Sequence, residues 1–212
     1  TNNAPGDLDF AAGSTALGVE WHSAADFLAD GLKMSASFST DNGLAKAAAA
    51  RLENSWGVGA TYVTTAGDST VTVSGGIADG EIATTGTQAT SDKGGFNVGL
   101  VAVTGDLTIG LGYGDEETNS LDKDGQEWAA YINYVTGPVS IGYGMGDVQD
   151  NTALANGESY VHYGVSFAVN DNLSLSYGRD DVDVMKTGAT NVTEESSGIS
   201  ASYTIGSASI RA

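Results

Sequence analysis

Apolar residues recur at every second position in about a dozen segments spread along the whole chain, and this period constrains the fold more than any other feature. One set is Leu32, Met34, Ala36 and Phe38; another is Trp56, Val58, Ala60 and Tyr62. The middle of the chain carries Phe96, Val98, Leu100 and Ala102, then Leu107, Ile109, Leu111 and Tyr113, and later Val139, Ile141, Tyr143 and Met145. The positions between are mostly Gly, Ser, Thr, Ala or Asn. Successive side chains of a β-strand point to opposite faces, so this pattern predicts an all-β chain whose strands are apolar on one side and polar on the other. A helical signal is confined to the Ala-rich stretch 44–54. No stretch approaches the ~20 apolar residues of a membrane-spanning helix, which excludes a helical membrane protein. A closed barrel of strands is the other structure that satisfies its backbone in lipid.

A soluble β-sandwich also alternates, with its apolar face turned inward. Three features favour a barrel with the apolar face turned outward. First, connections alternate between tight and long. Thr104-Gly105-Asp106, Thr136-Gly137-Pro138, Asn170-Asp171-Asn172 and Ile205-Gly206-Ser207 carry turn residues, whereas residues 78–94, 114–126, 146–158 and 179–195 read as long loops. Short turns at one end and long loops at the other are the habit of bacterial outer-membrane barrels. Second, 13 of the 17 aromatic residues lie on the apolar phase. Most sit near strand ends, where two interfacial belts form. The arrangement predicts Trp56, Phe96, Tyr113 and Trp128 on the outside surface at one level. Third, charge avoids the apolar phase at mid-strand, where a lipid-facing charge costs roughly 2–4 kcal/mol. Arg179 shares that phase just past Tyr177, where it can snorkel to the interface.

Composition excludes several functions. With 27 acids against 8 bases and a net charge of −19, the chain lacks the Lys and Arg that nucleic-acid binding needs. Cysteine is absent, so neither a disulfide framework nor a thiolate metal site exists. His22 and His162 are the only histidines, with no HExxH arrangement and no G-x-S-x-G elbow, so catalysis is not expected. No signal peptide is visible; a start at Thr1 in a polar stretch reads as a mature chain or a fragment.

The strand–turn–strand units NVGLVAVTGDLTIGLGYGD, AAYINYVTGPVSIGYGMGD and GVSFAVNDNLSLSYGRDD resemble the Gram-negative general porins, especially the alphaproteobacterial type. The resemblance covers the chain from about Gly18. It implies a single transmembrane antiparallel up-and-down β-barrel in the bacterial outer membrane. It also implies a homotrimer, a loop folded into the pore, and passive diffusion of small hydrophilic solutes and ions without a required cofactor. The family usually has 16 strands and about 12 are visible over 1–212, so N-terminal strands and a C-terminal one are expected to be missing.

Candidate site residues follow from the phase. Glu20, Lys33 and Arg211 are the charges read on the lumen side, with His162 as a polar wall residue. Glu20 and Lys33 are candidates for a wall ion pair. The constriction loop has two candidates: residues 39–55, with Asp41, Lys46, Arg51 and Glu53, or residues 1–13, with Asp7 and Asp9. The acids of the long loops form clusters able to offer oxygen ligands to Ca²⁺: Asp115 and Glu116, Asp122 and Asp124, and Asp180, Asp181 and Asp183. The glycine runs Gly110/Gly112/Gly114 and Gly142/Gly144/Gly146 lie on the lumen phase and read either as a smooth wall or as close packing against an inserted loop. Acidic loops at the mouth predict a mild preference for cations. A structural or adhesive β-protein with Ca²⁺-binding loops is the competing reading.

Overall fold

The computed structural model describes residues 17–40, 51–83, 90–118, 125–150, 156–186, 192–205 and 208–211. They form twelve strands: β1 (Leu17–His22), β2 (Leu32–Thr40), β3 (Arg51–Ala66), β4 (Ser69–Ala83), β5 (Thr90–Thr104), β6 (Leu107–Thr118), β7 (Gly125–Thr136), β8 (Val139–Asp150), β9 (Asn156–Asn170), β10 (Leu173–Lys186), β11 (Val192–Ile205) and β12 (Ala208–Arg211). Each strand pairs antiparallel with the next in sequence, giving one up-and-down sheet from β1 to β12. Among the described residues no pairing joins β1 to β12. In this meander each strand from β2 to β11 finds its backbone partners on both sides one hairpin away, as a strand crossing lipid requires.

The tight hairpins follow from turn chemistry. Gly67-Asp68, Gly105-Asp106 and Gly137-Pro138 each bridge two strands with two residues. The glycines have φ of 63°, 56° and 55°, and the residue after each stays at negative φ. Positive φ at the first central position alone is the type II′ pattern, whose twist matches that of paired strands. Between β9 and β10, Asn170 supplies the turn with its side chain. Its Oδ1 accepts from the Asn172 amide at 2.9 Å and the Leu173 amide at 3.0 Å.

At the opposite end the strands run much further than the alternation suggests. The expected loop 78–94 shrinks to residues 84–89, because β4 and β5 stay paired up to Ala83↔Thr90. Likewise 119–124, 151–155 and 187–191 are all that separates β6 from β7, β8 from β9 and β10 from β11. Asp180, Asp181 and Asp183, expected beyond a strand end, lie within β10, opposite His162, Val161 and Ser159 of β9. Arg51–Asn54, at the end of the helix-like stretch, belongs to β3. One physical reason covers these differences. Past the bilayer both faces of a strand meet water, so backbone pairing continues while the apolar/polar period vanishes.

The packing is inside-out. Among the described residues no hydrophobic side chain is buried, and the buried residues are all glycines. The expected outward placement of the aromatic belt holds: Trp56, Phe96, Tyr113 and Trp128 are 43%, 44%, 38% and 41% exposed. They sit on three successive register rows: Trp56 opposite Phe38, Phe96 opposite Ile77, and Tyr113 opposite Trp128. Such a stagger is what tilted strands need to hold one level. On this face Leu107, Ile109, Leu111 and Tyr113 give way to Asp115, and Val139, Ile141, Tyr143 and Met145 to Asp147. The apolar band ends at the same distance from the tight turns on both strands. A soluble sandwich would need the interior core that these strands lack.

Adjacent residues on one strand therefore face different solvents. Val73→Arg, at mid-band on the outer face, should lower the unfolding free energy in lipid vesicles by ~2–4 kcal/mol. Thr72→Arg, on the inner face, should leave assembly intact. Urea titration of both variants in vesicles checks this.

Candidate functional site: the inner wall

Register assigns each polar-phase residue to one face of the sheet and joins positions far apart in sequence into rows. One row runs Gly110, Tyr131, Gly144, His162, Asp180 and Ser196 across β6 to β11. The next row toward the strand extensions contains Ala129, Gly146, Tyr160, Val182 and Glu194. Beyond it come Gly114, Glu127, Val148 and Glu158.

The inner wall is thus more acidic than expected. Glu20 lies on it, and so do Glu116, Glu127, Glu158, Asp180 and Glu194, five carboxylates not assigned to it from the sequence. Four of the five occur in segments read as loops, and the fifth, Glu127, borders one. Once those segments are strands, parity alone decides which side each acid faces. Lys33 is the one base on this face whose side chain is described. Lys93, Lys186 and Arg211 share the phase, but their side chains lie outside the described residues.

The expected Glu20–Lys33 pair does not form. Glu20 stands opposite Ser37 and Lys33 opposite Thr61. The Glu20 carboxylate instead meets His22 on its own strand, Oε1 to Nε2 at 2.7 Å. Of the constriction candidates, Asp7, Asp9, Asp41 and Lys46 lie outside the described residues; Arg51 and Glu53 are in β3, without described side chains.

Three glycines of the wall are seats for rings on the neighbouring strand. A Cβ on Gly110 would lie 2.0 Å from the Tyr131 ring, one on Gly144 2.2 Å from His162 Nε2, and one on Gly146 2.3 Å from the Tyr160 hydroxyl. Tyr160 and His162 are nearly parallel, at 10° and 5.7 Å between centroids. The rings thus lean across the wall, as aromatics do over a cross-strand glycine. Tyr131 and Tyr160 went unremarked in the sequence, although a signal existed: they are two of the four aromatics that break the apolar phase.

The acidic clusters able to offer oxygen ligands to Ca²⁺ are split by the pleat. Asp115 faces out and Glu116 in; Asp181 and Asp183 face out and Asp180 in. Asp181 is paired with Arg179 at 2.8 Å, and the same guanidinium reaches Glu195 at 2.9 Å. Asp183 accepts from the Thr193 hydroxyl at 2.5 Å. Asp122 and Asp124 lie outside the described residues. Among the described residues no group of three or more His, Asp or Glu is arranged to hold a metal ion. On the outer face, Arg179 offsets one of the two negative charges of Asp181 and Glu195 where the apolar band ends.

An apolar exterior, a polar glycine-lined interior and hairpins tight at one end define a transmembrane β-barrel of the bacterial outer membrane. Comparison with known proteins narrows the class. The Gram-negative porin pattern matches residues 6–209, and the chain belongs to that family. Among solved structures, it is similar to the loop L8 deletion mutant of OmpT, an outer membrane protein of Vibrio cholerae. That likeness has a TM-score of 0.57 at 20% identity, over 88% of this chain and 62% of the other. It is also similar to OccAB4 of Acinetobacter baumannii, with a TM-score of 0.62 at 14% identity, over 92% of this chain and 52% of the other. The chain therefore spans between about half and two thirds of the length of these two structures, and at such identities the likeness is one of fold. Among curated proteins no sequence matches it.

The ring seats can be tested by size. Gly146→Ala would put a Cβ 2.6 Å from the Trp128 backbone oxygen as well as against Tyr160, so it should cost ~1–3 kcal/mol of stability by overpacking. Gly142→Ala meets only Asn133 Oδ1, at 3.7 Å, and should be tolerated. Urea midpoints of the two variants in lipid vesicles separate these outcomes.

Proposed function

We propose that this chain forms the wall of a water-filled channel for passive diffusion of small hydrophilic solutes and ions, with a preference for cations. The observation that carries the reading is the inner wall itself: six carboxylates, Glu20, Glu116, Glu127, Glu158, Asp180 and Glu194, against Lys33 as the described base. A wall of one sign raises the local concentration of the opposite ion. The acids lie inside strands rather than only at loop tips, so their field acts along the conduction path. A homotrimer and a role without catalysis are part of the proposal through the family.

Screening shortens from ~10 Å at 0.1 M salt to ~3 Å at 1 M. A reversal potential across a planar bilayer under a KCl gradient should therefore show cation preference at low salt that fades toward neutrality at high salt. Glu127→Gln, Glu158→Gln and Asp180→Asn combined should lower the K⁺/Cl⁻ permeability ratio about twofold or more at low salt. An anion-selective wild type would overturn the cation preference, and a chain that conducts nothing would overturn the channel.

A further inference from the structure

The glycines of the inner wall divide into two kinds. Gly110, Gly144 and Gly146 are covered by rings, as described above. Gly142, Gly164, Gly178 and Gly198 form the next row toward the tight turns, side by side on β8, β9, β10 and β11. Side-chain space is open at the β10 and β11 end of this row, whereas a Cβ on Gly164 would meet the Tyr177 backbone oxygen at 3.0 Å. A Cβ on Gly178 would meet nothing nearer than a backbone oxygen at 4.0 Å, and one on Gly198 nothing within 4 Å. The row below it is also uniform: Ser140, Ser166, Ser176 and Ser200 stand opposite one another on the same four strands. Three strand spacings put these hydroxyls along roughly 14 Å. Ser176 and Ser200 are hydrogen-bonded at 2.7 Å, and Ser140 donates to Asn133 Oδ1 at 3.0 Å. A shallow, open depression of about 370 Å³ lies over Gly142, Gly164 and Gly178, with Tyr131, Asn133, His162 and Asp180 around it; the serine row runs beside it and is not part of its lining. Its size falls at the small end of ligand pockets, roughly 300–1,000 Å³.

We infer that this groove is a binding subsite for a neutral, hydroxyl-rich ring of the size of a pyranose sugar. The chemistry of its sides selects that class. The Asn133 carboxamide both donates and accepts without favouring either charge, and the serine row beside the depression continues that neutral hydrogen-bonding surface toward the tight turns. Tyr131 and His162 give the opposite bank apolar ring surface for the C–H face of a sugar, and the Asp180 carboxylate accepts hydrogen bonds from hydroxyl groups. The glycine floor lets a flat ring lie against the wall. An anionic solute would meet the Asp180 carboxylate with no Lys or Arg side chain beside it on this face among the described residues, since Arg179 is engaged with Asp181 and Glu195 on the other. An inorganic cation would use the carboxylate alone and leave the serines and the floor without a role.

The inference rests on the channel reading, and the experiment separates the two. The full-length protein is inserted in a planar bilayer, and maltose is titrated while the ionic current is recorded, with choline as the charged comparison. Maltose should block the current reversibly. Gly178→Val fills the floor without meeting a side chain and should weaken maltose block about tenfold with the open channel still conducting. His162→Ala, which leaves the sheet backbone untouched, should weaken it about threefold. A conducting wild type that maltose does not block would overturn the subsite while leaving the channel intact. So would block unchanged in both variants, or block by choline and not by maltose. A wild type that does not conduct would overturn the channel itself.

Discussion

Lipid offers no hydrogen-bonding partner to a peptide group, so every N–H and C=O that crosses the bilayer must be satisfied within the protein. Pairing each strand to its sequence neighbour meets that demand from β2 to β11 with short connections, and the rest of the molecule follows. A sheet that pairs every strand with the next has two continuous faces, and one of them must lie against hydrocarbon. Apolar side chains turn outward, and among the described residues none forms the hydrophobic core a soluble protein would have. The interior is left to small and polar residues, which is the condition for water to fill it.

The same pleat that sorts apolar from polar residues sorts charges. Adjacent acids meet different surroundings: Asp180 faces the interior and Asp181 the exterior, where it shares the Arg179 guanidinium with Glu195. Beyond the apolar band the outer-face acids stand where lipid headgroups and water begin, and ionised carboxylates are tolerated there. The inner-face acids stand along the path of a permeating ion. One composition, strongly acidic overall, thus produces an exterior rim and an interior field with separate consequences, and register alone decides which acid serves which.

Glycine is abundant on the inner wall because the wall needs relief as well as polarity. Where a ring leans over from the next strand, as Tyr131 does over Gly110, the glycine makes room for it. Where no ring leans over, as along Gly142, Gly164, Gly178 and Gly198, the missing side chains leave depth. The wall of this barrel is therefore neither smooth nor uniform. Its texture is set by which cross-strand partner each glycine has.

By itself the amino-acid sequence determined the strand period, the face each mid-strand residue takes and the tight hairpins. The runs Leu107–Tyr113 and Val139–Met145 alternate because lipid and water lie on opposite sides of them, and Gly105-Asp106 turns as its φ preference dictates. That asymmetry of environment is local, so it is written locally. Where it ends, the period ends with it: Asp115–Thr118 and Asp180–Lys186 read as loops although they are strands, because water on both faces removes the selection that produces alternation. Tertiary structure decided what depends on register. Glu20 misses Lys33 because pairing sets it against Ser37, and His162 meets Gly144 and Asp180 across 18 residues of sequence on either side. The ladders of glycine and serine are invisible along the chain. Each member comes from a different strand, and only the hydrogen-bonded stagger of the sheet places them in line.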